Sequence, residues 1–128
     1  MNEDFVTYEL AVKLKEKGYP QHITDDAYIT DNYGEDEYDI GDRLPIPLIP
    51  DYMDDVAAPT ISQVLKWLRE EQGYNVNMRI YSPDGWYWTI QDRDGNYCCS
   101  YLTLSDDLFE TYEQAALAGI EYVLDNLI

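Results

Sequence analysis

Apolar residues recur every three to four positions in three stretches of this chain and at every second position in three others. That division predicts helices and strands in separate segments, hence an α+β domain. The first helical stretch is YELAVKLKEKG, with Leu10, Ala11 and Leu14 on one face and Lys13, Lys15 and Lys17 elsewhere. Thr7 is placed to cap it, and Gly18 followed by Pro20 ends it. The second is TISQVLKWLREEQG, where Thr60 and Gln63 have capping-box spacing behind Pro59 and Gly73 closes the helix. Ile61, Val64, Leu65 and Leu68 form its apolar stripe, which Trp67 widens. A third helix starts at Thr111, with Gln114 completing another capping box, and runs to the end of the chain. Ile120, Val123, Leu124 and Leu127 supply its buried face, and Ala115, Ala116 and Gly119 permit close approach to a neighbour.

The strand-like stretches are YNVNMRIYS, GWYWTIQD and NYCCSYLTL, separated by the turn signals PDG and RDGN. They read as a three-stranded antiparallel meander. Alternation places Val76, Met78 and Ile80 on one face with Trp86, Trp88 and Ile90, and leaves Asn77, Arg79 and Tyr81 opposite. Tyr87, Thr89, Tyr97 and Tyr101 are expected to line that second face. Upstream, AYIT and EYDI flank DNYGED as a small additional polar hairpin, and Pro45, Pro47 and Pro50 hold LPIPLIP extended across the surface. At 128 residues, the predicted order of helix, hairpin, helix, three strands and helix makes one domain spanning 1–128. No internal repeat or low-complexity tract interrupts it.

Charge changes the picture more than composition does. Twenty-six acids against eight bases give a formal net charge of -18. Binding to phosphates proceeds through Lys and Arg, so direct contact with nucleic acid is not expected, and an anionic membrane surface repels such a chain. A basic protein is the natural partner. No apolar run approaches the roughly 20 residues that span a bilayer, and MNEDFVTYEL lacks the cationic start of a signal peptide, so the expected location is cytoplasmic. Cys98 and Cys99 are adjacent and point to opposite faces of a strand, and are expected to be reduced.

Candidate chemistry is sparse. DRDGNY spaces Asp92, Asp94 and Asn96 as a calcium loop does, but glycine comes two positions early and flanking strands replace flanking helices, so a hairpin turn accounts for it. His22, the only histidine, sits in a predicted loop without a nucleophile motif beside it. The expectation is no enzyme, with no catalytic residue, cofactor or metal. The remaining anomaly is the stretch 28–55, where acids and tyrosines gather around the proline-rich run with Arg43 as the sole cation. Its acids can simply keep an edge strand from pairing with other chains. They can also form a docking surface on which tyrosines act as anchors. Tyr28, Tyr33, Glu35, Asp36, Glu37, Tyr38, Asp39, Arg43 and Tyr52, with Tyr81 and Tyr87 from the sheet, are the residues assigned to that surface.

FVTYELAVKLKEKGY, AAPTISQVLKWLREE and YEQAALAGIEYVLDNLI together resemble a family of small uncharacterised acidic proteins encoded in gut Bacteroidetes genomes, often within phage or other mobile elements. The resemblance implies the same helix order and a host or mobile-element cytoplasm, and it brings no activity or cofactor. The leading expectation is a non-enzymatic protein-interaction domain. Two other readings are a nucleic-acid mimic that antagonises a DNA-binding or host-defence protein, and a small-molecule binder at the aromatic sheet face.

Crowded acids repel one another more in a compact chain than in an expanded one, so the folded chain takes up protons more readily. Stability then rises as pH falls from neutral towards mildly acidic values, because the folded state binds the extra protons. Salt stabilises by screening the same repulsion. Thermal melts are expected to move upward on mild acidification and on adding salt; a downward, salt-independent shift would show that local pairing governs the surface instead.

Overall fold

The computed structural model describes residues 5–21, 26–28, 46–47 and 56–128. They belong to two compact units, 1–60 and 61–128, and the elements are those of an α+β protein.

In the first unit, helix α1 (Tyr8–Glu16) begins where the Thr7 side chain accepts from the Leu10 backbone N–H at 3.2 Å. It ends at Gly18, whose φ of 91° is open to glycine without strain. Leu10, Ala11 and Leu14 are buried, as are Val6 and Tyr19. Three very short strands form a sheet: β1 (Asp26–Tyr28) lies between β2 (Ile46–Pro47) and β3 (Val56–Ala57), both antiparallel to it. Pro47 therefore sits on an edge strand, where its missing N–H costs least. Gln21 ties the outer strand down: its Oε1 accepts from Ala57 N at 2.9 Å while its Nε2 donates to Tyr19 O at 2.8 Å. The hairpin partner expected for AYIT, residues 37–40, lies outside the described residues.

In the second unit, helix α2 (Ile61–Trp67) passes into one π-helical turn (Leu68–Gln72), closed at Gly73 with φ 80°. The Arg93 side chain lies across Gly73, and its guanidinium donates to the Glu71 carbonyl at 3.3 Å, so a cation meets the negative end of this helix. Strands β4 (Asn75–Tyr81), β5 (Gly85–Gln91) and β6 (Tyr97–Ser100) form an antiparallel sheet in that order. The register pairs Val76 with Ile90, Met78 with Trp88 and Ile80 with Trp86, so these six side chains share a face. Helix α3 (Tyr112–Asn126) packs on that face against β4 and β5. Its capping box is complete, with Gln114 N donating to Thr111 Oγ1 and Gln114 Oε1 accepting from Thr111 N. Val64, Leu68, Ile90, Ala115, Ala116, Ile120, Val123 and Leu124 are fully buried. Each buried Val, Leu or Ile contributes about 1.5–3 kcal/mol of transfer free energy.

The third strand is shorter than NYCCSYLTL suggests. A bulge interrupts the register between Ile90 and Gln91, so that Tyr97 faces Gln91 and Cys99 faces Ile90, with Cys98 as the additional residue. After Ser100 the chain turns into a single 3₁₀ turn (Tyr101–Thr103), in which Thr103 Oγ1 donates to Ser100 O at 2.7 Å. Tyr101 does not line the face assigned to it. Its ring packs instead on Trp88, with centroids 5.7 Å apart, and on Phe109 at 4.7 Å, because the bulge at Cys98 shifts the alternation by one and turns Cys99 and Tyr101 towards the side of Ile90 and Trp88.

A Cβ at Gly119 would come within 2.6 Å of Val76 Cγ1 and 3.2 Å of the Trp88 side chain. Gly119→Ala gains about 1 kcal/mol of helix propensity but forces α3 off the sheet at a cost of about 1–3 kcal/mol. A lower urea midpoint is expected, and a higher one would show that the helix can retreat freely. Tyr19 supplies a second test. Burial pushes its phenol from 10.0 up to about 12. Because the unfolded chain releases that proton first, the contribution is intact below pH 10.0 and is lost as pH climbs towards 12. Tyr19→Phe is expected to flatten the alkaline fall in stability measured by denaturation across that window, whereas an unchanged slope would assign the fall to other groups.

Candidate protein-interaction surface

A cleft of the second unit forms where the β4–β5 turn meets the segment between β6 and α3. Asp84 N donates to Tyr81 O at 2.7 Å, which closes the turn directly after β4. At Gly85, φ is 145° and a Cβ would lie 2.6 Å from the Phe109 carbonyl oxygen, so only glycine lets the returning chain this close. Phe109 then exchanges two backbone hydrogen bonds with Trp86, at 2.8 and 2.9 Å, alongside β5. Within the returning segment the Ser105 hydroxyl accepts from Asp107 N at 3.0 Å. The segment is thereby fixed by Ser100 at one end and by Phe109 and the α3 cap at the other.

Between turn and segment lies a cleft of about 570 Å³, lined by Tyr81, Asp84, Leu102, Asp106, Asp107 and Leu108. Tyr81 is 53% exposed and its neighbour Ile80 is 61% exposed. Leu102 and Tyr112 are also exposed, and the Tyr112 ring meets Trp86 edge-on at 5.6 Å. Among the described residues no three His, Cys, Asp or Glu side chains converge closely enough to hold a metal ion. The cleft carries three carboxyl groups, Asp84, Asp106 and Asp107, and acids beside exposed apolar carbon suit lysine and arginine side chains.

The sheet face opposite α3 is polar and partly aromatic. Arg79 lies directly across from Tyr87 and donates to the Tyr97 hydroxyl at 3.2 Å, and Asn77 Nδ2 donates to Gln91 Oε1 at 3.1 Å. Thr89, beside them, is buried, and its hydroxyl has no partner among the described residues. Of the residues assigned to a docking surface, Tyr81 enters the cleft and Tyr87 sits on this polar face, half-buried. Tyr28 is placed by its backbone in the central strand of the first unit. Tyr33, Glu35, Asp36, Glu37, Tyr38, Asp39, Arg43 and Tyr52 lie outside the described residues. Sequence reasoning passed over Asp84, Leu102, Asp106, Asp107 and Leu108. For the last four the signal available was the pair of acids set among leucines in YLTLSDDLF, and Asp84 belongs to the turn signal PDG.

The other candidate chemistry is accounted for locally. Asp92 Oδ1 accepts from Asp94 N at 2.9 Å and from Asn96 N at 3.0 Å, so this carboxylate organises the β5–β6 turn. Cys98 and Cys99 are free thiols. Desolvation, then the charges of Asp92 and Cys99, push the Cys98 thiol up, which lowers its thiolate fraction at neutral pH. No helix among the described residues is long and apolar enough to cross a membrane. Comparison of the chain with protein-family models, with curated proteins and with solved structures gave no match in any of the three.

Proposed function

We propose that this chain is a non-enzymatic protein-interaction domain that docks a basic segment of another protein. The observation carrying this reading is the cleft at the β4–β5 turn, which joins exposed Tyr81 and Leu102 to Asp84, Asp106 and Asp107. Aromatic and aliphatic groups in such a cleft supply contact area, and carboxylates beside them select lysine and arginine. The net charge of -18 adds long-range attraction to the same partner, including whatever the acids of 28–55 contribute to the field.

A second reading follows from that charge. A partner that ordinarily holds duplex phosphates is also basic, so the chain acts as a nucleic-acid mimic if the partner is a DNA-binding protein. The resemblance to proteins of phage and mobile elements motivates it, and competition by duplex DNA distinguishes it from general docking.

The probe is a short peptide alternating lysine or arginine with leucine, titrated into the whole chain by calorimetry. Binding is expected to weaken as salt rises. Tyr81→Ala is expected to lose roughly 30-fold in affinity, the equivalent of about 2 kcal/mol at an anchor residue. The triple change D84N/D106N/D107N should remove most of the salt dependence while leaving the thermal melt cooperative. Unchanged affinity in both variants would overturn the reading.

A further inference from the structure

A second, smaller cavity lies on the α3 side of the sheet and has a different character. It measures about 280 Å³, and Trp88, Tyr101, Tyr122, Leu104, Glu121 and Asp125 line it. Trp88 forms its back. The Tyr122 and Tyr101 rings are tilted against that indole, with centroids 5.0 and 5.7 Å away and interplanar angles of 39° and 49°. Trp88 is 2% exposed, its indole N–H has no partner among the described residues, and its ring is what the two tyrosines pack against. The two tyrosines, each half-buried, offer the accessible aromatic surface. Glu121 and Asp125 stand one helical turn apart on α3 and are exposed, which puts two carboxyl groups on the rim.

We infer that this cavity binds a methylated ammonium group. Aromatic faces attract cations through their quadrupoles, and the attraction is largest for a cation that gives up little hydration. A bare ammonium would have to replace several water hydrogen bonds; Trp88, Tyr101, Tyr122, Leu104 and Ala118 give this cavity ring and aliphatic wall, and its other polar lining is Glu121, Asp125 and Asn126 of α3. The rim carboxylates add attraction at the mouth without demanding direct hydrogen bonds. The volume lies just below the range of pockets for drug-sized ligands, which suits a single head group. A methylated ammonium reaches such a site either as a free choline-like molecule or as a methylated lysine of a protein. The cavity shares no wall residue with the cleft at the β4–β5 turn, so the two readings stand or fall separately.

The test follows the Trp88 indole and Tyr122 ring signals by NMR in the whole chain, on titration with tetramethylammonium, with choline and with dimethylbutanol, the neutral carbon isostere of choline. Arginine amide serves as a cation of different shape. Choline is expected to shift these signals and to bind at least about tenfold more tightly than the isostere. The double variant E121Q/D125N, on the exposed rim, is expected to weaken choline several-fold and to leave the isostere unchanged. A trimethyllysine peptide in parallel separates the two sources: tighter binding than choline assigns a protein side chain, and equal or weaker binding assigns a small molecule. Equal binding of choline and the isostere would overturn the inference, as would preference for arginine amide or absence of any shift at saturating tetramethylammonium. Tyr122→Phe keeps the ring and should bind choline as the wild type does, whereas Tyr122→Leu should not.

Discussion

Helix α3 meets its sheet at Gly119, where any side chain would overlap Val76 and Trp88, and this missing Cβ sets the spacing between the two layers. At that spacing Ala115, Ala116, Ile120, Val123 and Leu124 all reach full burial, although two of them are too small to fill a wider gap. Trp88 is held beneath the helix, and its position in turn decides where Tyr101 and Tyr122 can stack. Phe109 reaches Tyr101, and its backbone reaches Trp86, so the course of the chain from β6 back to α3 depends on the same contact. The aromatic cavity is a consequence of that arrangement, and the cleft at the β4–β5 turn forms beside the same returning chain.

Features governed by neighbours in sequence are legible in the sequence itself. Thr7 and Thr111 cap their helices because a cap needs only the next three residues, and Gly73 ends the second helix because the left-handed region is cheap for glycine. Strand alternation grouped Val76, Met78 and Ile80 with Trp86, Trp88 and Ile90 for the same reason, since the period of a strand is a local property. The pairing of Asp26–Tyr28 with Ile46–Pro47 and Val56–Ala57 joins segments far apart in the chain and left no local trace. Tyr101 was misplaced because alternation cannot announce where a strand stops; the bulge at Cys98 and the turn after Ser100 moved it to the other side.

The cleft was legible only at Tyr81. Its aspartates come from a turn and from a loop more than twenty positions apart, and each alone looks like an ordinary solvated acid. The abundance of acids in this chain, which made charge the loudest signal in the sequence, also hid the few that share a wall with exposed apolar carbon. The aromatic cavity was hidden differently. Trp88, Tyr101 and Tyr122 sit on three separate elements, and only the packing of α3 brings their rings within stacking distance.

The segment that carries Leu102, Asp106, Asp107 and Leu108 is held between Ser100 in β6 and the paired backbone of Phe109, with a serine hydroxyl bracing its middle. A loop anchored this way has already surrendered most of its backbone freedom during folding, at roughly 1–2 kcal/mol per residue. Whatever settles against it meets a surface that need not be ordered again, so the entropic penalty of association falls mainly on the incoming chain. A mobile acidic tail of identical composition would have to bear that ordering cost at every encounter.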